Sequence, residues 1–221
     1  MTQNNKIFDS QIPLPDTGLS LRQQSLLGFD DRFKRTHDQL RLLLNLGKLE
    51  SWSSQFHRQK LPIINLVSDQ YPLVIFHGDV GTGKTATAEC MANLFAKESR
   101  SEDSVLYKLS NRVRGSGRVG EMGSLINQAF AEVSQAAGKT RRGILIIDEG
   151  DSLAASRTQE HSHHEDKVAV NTLIQCIDDL RQYQGRIVVF LCTNRLSVLD
   201  AALLRRAAVV AEFVRPSATE R

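Results

Sequence analysis

Gly78-Asp79-Val80-Gly81-Thr82-Gly83-Lys84-Thr85 follows a short apolar run at 73–77 and precedes a stretch, 84–97, in which Ala88, Met91, Ala92, Leu94 and Phe95 fall at helical spacing. The octet fits the pattern GxxxxGK[ST], and a strand before it with a helix after it is the context that pattern requires. Its glycines let backbone N–H groups curl around phosphate oxygens without a Cβ in the way, and a helix starting near Lys84 aims its positive dipole end at the same point. The expected ligand is ATP with Mg²⁺. Gly78, Asp79, Val80, Gly81, Thr82, Gly83 and Ala86 form the cage, Lys84 reaches the β and γ phosphates, and the Thr85 hydroxyl sits on the metal. The bland alternative is a glycine-rich turn with no ligand, and the flanking elements count against it.

Downstream, the order strand, loop, helix repeats. Strands are expected at 105–109, 143–148, 187–193 and 209–214, with helices at 121–135 and 168–180 and a short one near 199–205. Such alternation predicts parallel pairing through right-handed crossovers, hence an α/β fold: a P-loop three-layer sandwich around a central parallel five-stranded sheet. The runs ILII at 144–147 and IVVFL at 187–191 are apolar on both faces, as central strands covered on each side by helices must be. Upstream, 30–46 reads as an amphipathic helix and 51–67 as another. The polar first 27 residues, with Pro13 and Pro15, are expected to run as an extension across the surface.

A second motif ends the strand at 143–148, where Ile144-Leu145-Ile146-Ile147 runs into Asp148-Glu149. The carboxyl ends of the strands are where α/β sheets hold ligands, so Asp148 is expected in the Mg²⁺ shell and Glu149 as the acid that polarises water toward the γ phosphate. An acid pair after a strand is usually a solvated loop; the octet on an earlier strand of the same sheet reverses that weighting. Asn194 follows another very apolar strand, and its amide could hold the attacking water or the γ phosphate. Taken alone it would be a turn residue. In Leu203-Leu204-Arg205-Arg206, a guanidinium could reach a neighbouring subunit's phosphates, or could simply complement a helix C-terminus.

Composition narrows the class. A chain of 221 residues, 41% hydrophobic and 24% charged, suffices for one α/β domain with a buried core. Twenty-eight Lys and Arg against 25 Asp and Glu leave +3, too weak a bias to point to nucleic acid. Cys90, Cys176 and Cys192 include no CxxC pair and read as buried hydrophobes in a reducing compartment. No leader or run of about 20 apolar residues is present, so a cytoplasmic protein with no membrane contact is expected. The tract QEHSHHED at 159–166 reads as a solvated loop in preference to a metal site, because no further Cys or His stands at ligand spacing.

Together these four motifs, in this order, resemble the AAA+ ATPases over residues 27–215. The wording of IIDEGDSLAASR, VAVNTLIQCIDDL, CTNRLSVLDAALLRRA and SGRVGEMGSLI is similar to the pachytene-checkpoint branch. That branch remodels HORMA-domain proteins and includes bacterial members that accompany CD-NTase anti-phage (CBASS) operons. The resemblance implies a regulator that couples ATP hydrolysis to remodelling or disassembly of a HORMA-domain partner. It makes Lys84 and Thr85 the Walker A pair, Asp148 and Glu149 the Walker B pair and Asn194 the first sensor. Arg206 fits the arginine finger best, with Arg205 the alternative; Leu27, Gly28 and Phe29 fall where the family packs adenine.

The resemblance further implies a homo-hexamer that threads polypeptide past a first pore loop, here Gly115 to Gly120, with Arg118 and Val119 where relatives often place an aromatic residue. His161, His163 and His164 fall at the second pore loop. The implied organisation is an N-terminal extension (1–27), a large ATPase subdomain (28–215) and, at 216–221, the opening of a helical lid that the chain does not complete. A DNA-acting loader of the same superfamily and a nucleotide-gated switch without hydrolysis remain the alternatives. Weak net charge counts against the first and Glu149 against the second.

Overall fold

The computed structural model describes residues 7–99, 103–114, 121–154 and 164–215. Its centre is one six-stranded sheet in the order β1-β3-β4-β5-β2-β6, with β1 Phe8–Leu14, β2 Leu73–Gly78, β3 Ser104–Leu109, β4 Gly143–Ile147, β5 Ile187–Thr193 and β6 Ala207–Phe213. Strands β2 to β6 pair in parallel, as the alternation of elements requires.

The sheet gains a strand that the periodicity did not reveal. Residues 8–14 leave the expected surface path and pair antiparallel with β3 as β1, with Ile12 opposite Leu106 and Pro13 opposite Val105. An edge strand needs only one set of ladder partners, so Pro13 is tolerated there. Helix α1 (Thr17–Gln23) follows, its first turn capped by the Asp16 carboxylate, which accepts the Leu19 N–H at 2.7 Å. Asn93 then ties this segment to the body, accepting from the Asp16 N–H at 2.7 Å and donating to its carbonyl at 3.0 Å.

Helix α2 covers Phe29–Leu44. The single helix expected at 51–67 is two, α3 (Leu46–His57) and α4 (Pro62–Ser68). Arg58 adopts a left-handed conformation at the end of α3, Leu61 is extended, and Pro62, having no N–H to lose, starts the next helix. Helices α5 (Lys84–Ser99), α6 (Glu121–Ala137), α7 (His164–Asp179) and the short α8 (Ala201–Leu204) complete the chain.

Side-chain alternation along the parallel strands divides the core into two layers. Leu73, Ile75, Leu145, Ile147, Val189 and Leu191 face α6 and α7. Val74, Phe76, Ile144, Ile146, Val188 and Phe190 face α2 and α5. Strand β2 is flanked by β5 and β6, while the chain leaves it for β3 beyond β4 and β5, so the order reverses at β2. The crevice at that reversal, outside the carboxyl ends of the strands, is where such sheets hold ligands.

Candidate nucleotide site

The turn between β2 and α5 forms because its glycines permit it. Gly78 has φ 133°, and a Cβ there would stand 2.1 Å from the Phe213 carbonyl oxygen of β6, so no other residue allows the two strands this approach. Gly83, at φ 87°, turns the chain into α5, whose first hydrogen bond runs from the Thr87 N–H to the Gly83 carbonyl at 2.8 Å. Lys84 is buried, 7% exposed, and its ammonium donates to the carbonyls of Gly78 and Asp79 at 2.8 and 2.7 Å. Burial lowers its pKa, while negative charge on Asp148, Asp79 and Asp151 pulls the other way. Ala86 is buried under the turn, and Val80 is exposed at its tip.

At the tip of β4 the Asp148 carboxylate accepts a hydrogen bond from the Thr85 hydroxyl at 2.8 Å. A hydroxyl and a carboxylate converging beside a helix N-terminus are the hard oxygen donors that Mg²⁺ takes together with waters, so these residues fit the ion. Glu149 sits on the surface at φ 49°, with its N–H donating to the Asp148 carboxylate at 3.0 Å. Asn111, in the 3₁₀ turn after β3, donates to the Glu149 carboxylate at 3.2 Å. The Thr193 hydroxyl, at the end of β5, donates to Asp151 at 3.0 Å and joins the β4 turn to the next strand. Asn194 is exposed immediately beyond it.

Sequence reasoning overlooked a run of charges behind these groups. Lys108 of β3 lies 3.8 Å from Asp148 and 3.8 Å from Glu89 of α5, and Arg22 of α1 pairs with the other Glu89 oxygen. The signal was present: a lysine inside VLYKL, a run otherwise suited to a buried strand, needs an anion to receive it. Cys192 lies against Thr85 and Asp148, and burial pushes its thiol far above the ordinary range, leaving it a neutral packing group.

A cavity of about 490 Å³ opens beside the turn, lined by Leu26, Leu27, Gly28 and Arg32 on one side and Gly81 to Gly83 on the other. Its size lies within the roughly 300–1,000 Å³ of small-molecule sites. Leu27 and Gly28 line it; Phe29 does not, because its ring is buried, 2% exposed, and stacks on Phe33 at 6.0 Å.

The two arginines after α8 are placed differently. Arg206 grips both oxygens of Asp178 at the end of α7, with Nη2 2.8 Å from Oδ2, while Nη1 donates to the Ala202 carbonyl at 3.0 Å. Its guanidinium also lies over the Tyr71 ring at 5.3 Å, and the bonds to Asp178 raise its pKa. Arg205 is exposed and has no ion pair among the described residues.

The expected pore loop at Gly115–Gly120 lies outside the described residues, as do His161 and His163; His164 begins α7. Among the described residues no cluster of His, Cys, Asp or Glu is arranged to hold a metal, and no helix is long and apolar enough to cross a membrane.

Residues 74–215, from β2 through β6, match the family described as "ATPase family associated with various cellular activities (AAA)". The chain is 67% identical over 217 residues to "CD-NTase-associated protein 6" of Escherichia coli strain KTE188, covering 98% of this chain and 73% of that protein. Among solved structures it is similar to the "E. coli MS115-1 HORMA:CdnC:Trip13 complex", with TM-score 0.86, 37% identity and coverage of 98% of this chain and 73% of that one. It is also similar to "Rhizobiales Trip13", with TM-score 0.70, 29% identity and coverage of 97% and 72%. With the glycine turn, the strand-tip acids and the reversal of strand order all inside the matched span, the chain belongs to the AAA family of ATPases.

Proposed function

We propose that this chain is an ATP-driven remodeller of a HORMA-domain protein, acting as a regulator in a bacterial CD-NTase anti-phage system. One observation carries the ATPase half: the Thr85 hydroxyl and Asp148 carboxylate meet at 2.8 Å beside buried Lys84, with Glu149 as the next residue. The partner half rests on the likeness to CD-NTase-associated protein 6 and to a chain solved together with a HORMA protein.

In this reading the N–H groups of 78–85 cradle the triphosphate, and Lys84 exchanges its two carbonyl partners for phosphate oxygens. Thr85 and Asp148 hold Mg²⁺, which supplies charge neutralisation at the phosphate oxygens when bound. Glu149 takes a proton from the attacking water, and Asn111 holds that carboxylate in place until substrate is seated. Asn194, at the adjacent strand end, orients the water or the γ phosphate.

Assembly as a homo-hexamer that draws the partner through a central channel belongs to this reading; the expected pore loop at 115–120 lies outside the described residues. We assign the guanidinium that acts in trans to Arg205, because Arg206 is already committed to Asp178, Ala202 and Tyr71. The test is a steady-state ATPase assay with purified HORMA-domain protein or duplex DNA added. Turnover that requires Mg²⁺, rises with the HORMA protein and vanishes in Lys84→Ala is expected. Stimulation by DNA alone would replace this reading with a loader, and tight ATP binding without turnover in any condition would leave only a switch.

A further inference from the structure

The nucleotide cavity is lined by two unlike kinds of group. Gly81, Thr82 and Gly83 present the backbone that receives phosphates, and Leu26, Leu27 and Val214 add apolar surface suited to a flat ring. A polyphosphate seated on the turn leaves its base to the apolar part of this lining. The lining includes one charged group, the Arg32 guanidinium from the first turn of α2.

Arg32 is held on two sides. Its Nη1 donates to the Leu27 carbonyl at 2.7 Å, and its guanidinium carbon lies 4.7 Å from the centroid of the Phe213 ring, which is itself only 1% exposed. Gly28, between them in sequence, has φ 64°, and the position a Cβ would take there is 3.7 Å from Arg32 Nη1. Among the described residues no carboxylate pairs with Arg32. A guanidinium has five N–H donors, of which the carbonyl takes one. Its cation–π seat over Phe213 orients the remainder, so the group is preorganised.

We propose that Arg32 reads the base of the bound nucleotide, donating a hydrogen bond from its fixed guanidinium to a ring-nitrogen acceptor of a purine. The proposal rests on the nucleotide-site reading above and adds to it the residue that distinguishes a purine nucleotide from a bare polyphosphate. A charged hydrogen bond of this kind corresponds to roughly a 10- to 100-fold change in affinity.

The experiment measures Mg²⁺-dependent equilibrium binding of ATP, inorganic tripolyphosphate and the 1-, 3- and 7-deaza analogues of ATP to the full chain and to Arg32→Met and Arg32→Lys. Methionine keeps apolar contact with Phe213, and unchanged thermal unfolding identifies variants that fold. The expected result is ATP binding weakened roughly 10- to 100-fold in Arg32→Met, tripolyphosphate binding unchanged, and no rescue by lysine, which lacks the fork. One deaza analogue should bind the unaltered chain as weakly as ATP binds Arg32→Met, and should be insensitive to that substitution. Equal weakening of ATP and tripolyphosphate, with rescue by lysine, would show a general attraction of charge and overturn the proposal. So would unchanged ATP binding in Arg32→Met, or analogues that all lose equally from both proteins. If the unaltered chain binds neither ATP nor tripolyphosphate, the nucleotide-site reading itself fails, an outcome distinct from a failure at Arg32.

Discussion

Replacing Arg206 by alanine removes a guanidinium bound to both oxygens of Asp178, to the Ala202 carbonyl and over the Tyr71 ring. The two charged side chains are 22% and 29% exposed, so the pair lies between two regimes. Exposed pairs contribute about 0.2–1 kcal/mol, whereas removing one partner of a buried pair costs about 3–5. With the carbonyl bond at about 1 kcal/mol and the aromatic contact at about 0.5, a total loss of about 2 kcal/mol is expected. For a chain of this size that lowers Tm by about 4–8 °C. Arg205→Ala breaks no side-chain hydrogen bond or ion pair among the described residues and should stay within about 0.5 kcal/mol of the unaltered chain. Thermal denaturation by circular dichroism, on Arg206→Ala, Asp178→Ala and the double variant, measures the coupling directly. A Tm for Arg206→Ala within 1 °C of the unaltered chain, or additive effects in the cycle, would mean that the Asp178 pair does not hold in solution. Arg206 would then be as free to act in trans as Arg205.

Glu149→Gln is expected to leave ATP affinity within about twofold while lowering turnover by 10² to 10⁴, read as kcat against Kd; equal loss in both would place Glu149 in binding and not in water activation. Gly78→Ala puts a Cβ 2.1 Å from the Phe213 carbonyl, and should cost about 3 kcal/mol or more and abolish nucleotide binding; a soluble variant with unaltered Tm would show that β6 yields there. Lys108→Met leaves Glu89 with Arg22 alone and removes a cation 3.8 Å from Asp148; a changed Mg²⁺ concentration for half-maximal ATP binding is expected, and an unchanged one would exclude Lys108 from setting the site's charge. Burial pushes the Cys90 and Cys176 thiols from 9.0 up to about 11, so their contribution to stability is complete below about pH 9 and is lost as pH rises toward 11. Urea unfolding across that range checks the sign, and rising stability would contradict it.

Much of the site was legible because its parts are contiguous in the chain or stand at strand tips. The octet at 78–85 needs only its own backbone and the helix after it, and Asp148 and Glu149 follow an apolar run whose direction announces where they emerge. The strand at Phe8–Leu14 was hidden, because an edge strand buries little and Pro13, with Pro15 just beyond the strand, resembles a loop. The break between α3 and α4 was written in Leu61-Pro62 and masked by the apolar residues that follow, Ile63, Ile64, Leu66 and Val67.

Local spacing determined the candidate chemistry: which residues can cradle phosphate, which acids could hold a metal, and that strands alternating with helices must stack in parallel. Packing decided which of two adjacent arginines is held and which has no ion pair among the described residues, and which face of α2 meets the nucleotide cavity. Those outcomes rest on approaches between residues far apart in the chain, Arg206 to Asp178 across 28 positions and Arg32 to the ring of Phe213. Periodicity within one element carries no information about what its neighbours bring, so only the folded sheet could supply it.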